Sequence, residues 1–336
     1  MRFWFLPVVA TLAASTAFSQ SFTGVKLTGM QMSEALAVSE DGLTILGNTS
    51  GVNRTPVIYS ISAGTYTPFS LAVNGGAAYF LSGGVSGNGM VAVGTQPIGT
   101  FARTPFALYA MTSIFNFDCN DVSTSAQYLV GTNSAGNTLT ARWVDIATGT
   151  VFDLPPLVVG GGSAAQGISG NGRYVVGGVS DPATPSADLP FRFDMVTQSY
   201  QLVSPIGSGS GTAWDTSADG NVVVGSLNGQ AFAWNPTTGI SMLGFLSGSG
   251  ASHAFAVSKN GRWVVGMNEF GSLPSRAFIY DLQNPANGMK DLTNLLASQL
   301  PPGYVLYSAY DANFDGTVIV GFALSPMGGT EGYFTQ

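Results

Sequence analysis

Charge, sulfur and imidazole are all scarce in this chain. Only 9% of its 336 residues are charged, and it has one cysteine, Cys119, and one histidine, His253. A single cysteine excludes an internal disulfide framework, and a single histidine excludes the clustered imidazoles of many zinc and iron sites. Lys and Arg number 11 against 18 acidic residues, for a net charge of −7, and they form no basic stripe. That balance argues against nucleic acid and anionic membrane surfaces as partners. Gly-x-Ser-x-Gly and Cys–His patterns are absent too, so the sequence carries no signature of nucleophilic catalysis.

Long apolar runs are missing except at the start. Arg2 precedes the apolar stretch Phe3–Ala14, and Ala17-Phe18-Ser19 offers small residues at the positions a signal peptidase reads. The expectation is a signal peptide over 1–19, cleaved before Gln20. The mature chain, 20–336, is then a single domain, secreted or periplasmic, with no membrane insertion. No cysteine follows the apolar stretch, so a lipid anchor is not expected. Cys119 is expected to be buried in an inner strand.

Glycine is abundant, at 45 residues, and it recurs in register. A unit made of Ser-x-Asp/Asn-Gly, then a few apolar residues, then Gly closes at Gly47, Gly94, Gly131, Gly177, Gly225, Gly266 and Gly321. The third copy reads Ser123-Thr-Ser-Ala126 and has lost the turn residues. Asp-Gly and Asn-Gly between apolar runs predict hairpins, with type I′ turns expected. A second hairpin follows in most units. Its first strand ends in an aromatic, as at Tyr59, Tyr109, Trp143, Trp234 and Tyr280, whose fixed position marks them as core residues. Four short strands per unit predict a seven-bladed β-propeller of four-stranded blades. The last unit lacks a fourth strand, and the orphan segment Phe22–Met30 is expected to supply it and close the ring. One segment breaks the β pattern. Asp291–Leu300 places Leu292, Leu295, Leu296 and Leu300 on one helical face, with Asp291 as cap and Pro301-Pro302-Gly303 as the stop.

Ala-x-x-Val-Ser-x-Asp/Asn-Gly-x-x-Val-Val-Gly, Ala-Phe-x-Trp…Gly…Leu-Gly-x-Leu, and Asp291-Leu-Thr-Asn-Leu-Leu296 running into Tyr304-Val-Leu-Tyr307 and Asn313-Phe-Asp-Gly316 resemble the bacterial extracellular repeat proteins of the HAF family. The resemblance runs from about Ala35 to the C-terminus. It is strongest in units five to seven and weakest in units two and three. It implies a secreted repeat protein and supplies no catalytic residues.

Two groups of residues stand out as sites. The loops away from the Ser-x-Asp-Gly turns vary in length and hold many of the few charges, so binding is expected there, through Arg54, Arg103, Asp188, His253, Glu269 and Arg276. Arg54, Arg103 and Arg276 recur just before the third strand, where guanidinium groups could grip carboxylates or sulfates, or pair structurally with Asp and loop carbonyls. On the inner strands, Asp121, Asp215 and Asp311 recur two residues before the turn. Elsewhere that position reads Ala37, Gly84, Gly167 and Ala256. The three carboxylates either hold a hard cation such as calcium or accept hydrogen bonds from neighbouring backbone. Asp311–Gly316 resembles the start of a calcium loop, but Ile319 and Phe322 stand where ligands would be needed, so it reads as a hairpin. The functional expectation is a monomeric extracellular binding module for a surface glycan or a protein. The alternatives are a glycoside hydrolase or polysaccharide lyase at the channel mouth, and a structural cell-surface component.

Overall fold

The computed structural model describes residues 22, 25–28, 32–49, 56–68, 82–96, 99–104, 107–110, 117–133 and 138–336. The segment assigned to a signal peptide lies outside them. The described residues form an all-β propeller of four-stranded antiparallel sheets, seven of which are traced. Their inner strands are Glu34–Val38, Ser82–Val85, Phe117–Val122, Ser163–Ile168, Gly211–Thr216, Ala251–Val257 and Val305–Ala312. Six sheets use four consecutive strands. The seventh takes its outermost strand, Val25–Leu27, from the other end of the chain, with Val25 opposite Thr335 and Leu27 opposite Tyr333. That pairing covers an edge that would otherwise be left open.

Side chains brace the repeat turns. Ser39 Oγ donates to Asp41 Oδ1 at 2.5 Å and accepts from the Thr44 N–H, while Asp41 Oδ1 also accepts from the Leu43 N–H. The same three bonds recur at Ser86/Asn88, Ser169/Asn171, Ser217/Asp219 and Ser258/Asn260. Only the glycine has positive φ, +71° at Gly42, and its N–H returns to Ser39 O. The turn is therefore a type I turn closed by a left-handed residue, not the expected type I′, which needs positive φ at two residues. In the third unit Ala126 occupies the left-handed place at φ +56°, which keeps that degenerate copy in register.

Successive turns are hydrogen-bonded in a circle. Asp41 N–H donates to Gly87 O, Gly87 to Thr124, Thr124 to Gly170, Asn171 to Ala218, Ala218 to Lys259, Asn260 to Phe314, and Phe314 back to Glu40. Inner strands touch in the same cyclic order. The core is correspondingly a set of layers between neighbouring sheets. Phe191, Phe232, Phe278 and Phe334 are fully buried, and Trp263 packs into the layer that holds Leu306 and Tyr333. Tyr59, Trp234 and Tyr280 are buried as expected, and Trp143 stacks on Phe152. Cys119 is buried in its inner strand, and burial pushes its thiol far above the ordinary range.

The closing glycines have a steric cause. A Cβ on Gly131, Gly177, Gly225, Gly266 or Gly321 would lie within 2.0 Å of a carbonyl oxygen on the inner strand, Thr212 O in the case of Gly225. Each of these close approaches faces an inner strand that carries a bulge, as between Ala213 and Asp215 opposite Gly225.

The expected helix over Asp291–Leu300 is shorter. It spans Leu292–Leu295 and gives way to turns before Pro301-Pro302, which cannot donate N–H groups to prolong it. Asp291 caps it as expected, accepting from the Thr293 and Asn294 N–H groups. Leu292 and Leu296 are buried, whereas Leu295 is exposed.

Candidate functional site

A bulge re-aims the side chain of its extra residue. Here the re-aimed residues stand three before the turn serine or asparagine. They are Leu36, Asn120, Gln166, Trp214, Phe255 and Tyr310, and all six line a cavity of ≈ 130 Å³ on the propeller axis. Gly83 takes the equivalent place in the second sheet, whose inner strand has no such bulge.

The ring is chemically two-sided. Trp214 and Phe255 meet edge-on at 6.2 Å, while Phe255 and Tyr310 at 5.7 Å and Tyr310 and Phe322 at 5.9 Å are tilted pairs. Phe322 stacks on Tyr307 at 4.8 Å, and His253 lies parallel to Phe255 at 6.1 Å. The three sheets from Trp214 to Phe322 thus present a continuous aromatic crescent, every member of it partly exposed. Amides stand elsewhere on the ring. Asn120 Nδ2 donates to Ala165 O at 2.8 Å and to Gln166 Oε1 at 3.3 Å. Inner strands run from the blade crossovers toward the turns, so His253 and Tyr307 stand nearer the crossover end than Phe255 and Tyr310.

Below the ring lies the carboxylate girdle. Each aspartate straddles a seam between sheets. One oxygen accepts from the next residue in its own strand, and the other accepts from the neighbouring sheet. Asp121 takes the Val122 and Ile168 N–H groups, Asp215 those of Thr216 and Val257, and Asp311 those of Ala312 and Val38, all at 2.7–3.0 Å. The small residues between them make room, since a Cβ on Gly84 would sit 2.5 Å from Asp121 Oδ1. Lys259 Nζ donates to Asp215 Oδ1 at 3.0 Å. Burial raises the Asp121 carboxyl to about 6 and that of Asp311 to about 7, with the Lys259 charge opposing and the Asp215 charge reinforcing the rise. Burial works against the Lys259 charge as well, but attraction to Asp215, Asp121 and Asp311 outweighs it and raises its pKa.

Among the described residues no three His, Cys, Asp or Glu side chains converge as a metal donor set. Of the two roles expected for Asp121, Asp215 and Asp311, the backbone one describes the bonds they make. Their oxygens are committed to backbone N–H groups across three different seams, and an ammonium group already sits beside them.

Of the residues expected to share one loop-borne mouth, the described side chains of Asp188, His253 and Arg276 lie in different grooves. Arg54 lies outside the described residues, and for Arg103 only the backbone, in strand Gly99–Thr104, is described. Asp188 opens the strand Asp188–Asp194 and lines a separate cleft with Leu139, Val159 and Pro185. His253 pairs with Glu269 at 3.3 Å and lies against the axial crescent. Arg276 pairs with Asp291 at 3.3 Å in a third cleft on the sixth sheet. Side chains spread over different sheets face different grooves unless strand twist and bulges turn them to the axis. The bulge residues were missed, although they had a signal: one position in the repeat frame reads Leu, Gly, Asn, Gln, Trp, Phe and Tyr among otherwise small inner-strand neighbours.

No family model and no curated protein matches the chain. Solved structures do. The Cps50 (Swd1) β-propeller domain of Myceliophteria thermophila is 11% identical with a TM-score of 0.61, covering 93% of this chain and 99% of that one. An oligogalacturonate lyase in complex with manganese is 12% identical with a TM-score of 0.58, covering 94% of each. TolB from Agrobacterium tumefaciens is 13% identical with a TM-score of 0.53, covering 83% of this chain and 96% of that one. At such identities the likeness is one of fold, and it places this chain among the β-propellers.

Proposed function

We propose that this chain is a secreted repeat protein of the HAF type. Its mature part, from Gln20, folds as one closed seven-bladed propeller, and it binds a glycan at the crossover end of its axis. The circle of turn-to-turn hydrogen bonds and the strand borrowed from the N-terminal side support the closed ring. The crescent of Trp214, Phe255, Tyr310, Phe322 and Tyr307, with Asn120 and Gln166 on the same ring, carries the glycan reading. Sugar rings offer apolar faces that pack on aromatic planes and hydroxyls that pair with amides.

Trp214 gives the test its readout, because it is the tryptophan on the axis, while Trp143, Trp234 and Trp263 lie in core layers. The mature protein is titrated with neutral and acidic oligosaccharides, and tryptophan emission and heat are followed together. Saturable binding that weakens about tenfold or more in Trp214→Ala, roughly 1.4 kcal/mol, supports the site. Binding unchanged in that variant, or no binding by any glycan, removes the proposal. Chain-length analysis of the same mixtures separates a lectin from a hydrolase or lyase.

A further inference from the structure

A cleft of ≈ 650 Å³ on the sixth sheet is chemically unlike the axis. Leu246, Phe270, Leu273 and Leu295 supply apolar wall, and Arg276 and Lys290 both line it. Leu273 is 67% exposed, a large apolar side chain left at the rim. With the Asp291 carboxylate on the same lining, two cations leave the cleft net positive, which is notable in a chain with only 11 Lys and Arg residues and a net charge of −7.

Arg276 also departs from its counterparts. Arg142, Arg173 and Arg262 each engage a carboxylate through both Nε and Nη2, on Asp153, Asp194 and Asp281. Arg276 gives Asp291 one bond at 3.3 Å through Nη1. The other oxygen of Asp291 is committed to capping the helix Leu292–Leu295, so that carboxylate cannot turn to meet the fork. A guanidinium group has five N–H donors, and most of those on Arg276 remain for a ligand. Lys290 stands on the neighbouring outer strand and adds a second positive charge.

We infer that this cleft binds a small amphiphilic acid, an alkyl or aryl monocarboxylate. Arg276 and Lys290 hold the carboxylate while its apolar body lies on Leu246, Phe270, Leu273 and Leu295. The volume falls in the range of ordinary small-molecule sites, roughly 300–1,000 Å³. The Arg276–carboxylate contact supplies orientation, because a guanidinium fork matches a carboxylate edge in two parallel bonds. This site is separate from the axial crescent and stands whether or not a glycan binds there.

The test uses the mature protein and octanoate as probe, with octanol and octylamine as matched controls, followed by calorimetry. Octanoate is expected to saturate one site, and its affinity is expected to fall about tenfold in Lys290→Gln, the loss of one charge-assisted hydrogen bond, and at least as far in Arg276→Gln, which loses the two-bond fork. Trp214→Ala should leave octanoate binding unchanged. Arg276→Gln also releases Asp291, so its melting temperature is measured alongside; Lys290→Gln breaks no bond within the fold and decides the matter if the arginine variant unfolds. Equal binding of octanol or octylamine, no binding of octanoate, or full affinity in Lys290→Gln would each overturn the inference.

Discussion

Replacing Asp311 by alanine tests the girdle at its closing seam. Asp311 is the contact through which the seventh inner strand holds the first, because its Oδ2 accepts the Val38 N–H at 2.9 Å while its Oδ1 accepts the Ala312 N–H at 2.8 Å. Val38 and Ala312 are both buried, so the variant leaves two donors without their acceptor. Each orphan costs about 1–3 kcal/mol, which sets the loss at roughly 2–5 kcal/mol. Ionisation opposes part of that cost. The Asp311 carboxyl titrates near 7 in the fold against an ordinary 3.8. A raised folded value means the group's contribution is most favourable below the unfolded pKa and is lost as pH climbs through the folded one. At about 1.4 kcal/mol per pKa unit, the wild type should lose roughly 2–3 kcal/mol from this group between pH 5 and pH 8. The alanine variant escapes that loss. Urea denaturation followed by fluorescence should therefore show Asp311→Ala strongly destabilised at pH 5 and much closer to wild type at pH 8. Equal destabilisation at the two pH values would refute the titration argument, and no destabilisation at pH 5 would refute the clip itself.

Other expectations are as direct. Gly225→Ala drives a Cβ to 2.0 Å from Thr212 O and should cost about 3 kcal/mol or more, read from the urea midpoint, whereas Gly250→Ala, in open space, should be nearly silent. Ala126→Gly relieves an alanine held at φ +56° and should stabilise by up to about 1 kcal/mol, seen as a higher melting temperature. Lys259→Met strips the ammonium from the girdle and should cost about 3–5 kcal/mol near neutral pH, with the loss shrinking toward pH 5 as Asp121 and Asp311 take up protons; a loss that grows on acidification would contradict the arrangement. Asp194, held near 2 by its Arg173 partner, works in the opposite sense. Its stabilisation is present above the ordinary 3.8 and fades only as pH falls toward 2, so it should not mask the changes between pH 5 and 8.

The sequence by itself determined the repeat, the strand order and the turn positions. These are local matters. Ser39 and Asp41 brace a turn from within five residues, and Gly42 suits its left-handed place by its own backbone freedom. The seam role of the aspartates was legible as one of two readings, because a carboxylate beside small residues in a converging strand has few other partners. Tertiary structure decided the rest. Whether Trp214 faces the axis or a core layer depends on one bulge, and a shift of one residue in a strand sends a side chain to the opposite face. Alternation read from sequence assumes an unbroken strand, so it cannot place that residue. Nor could it show that His253 and Arg276, both read as loop-mouth charges, sit in different grooves on the first and third strands of one sheet. Repeat chemistry fixes what each blade is, and the distances between blades fix which side chains meet.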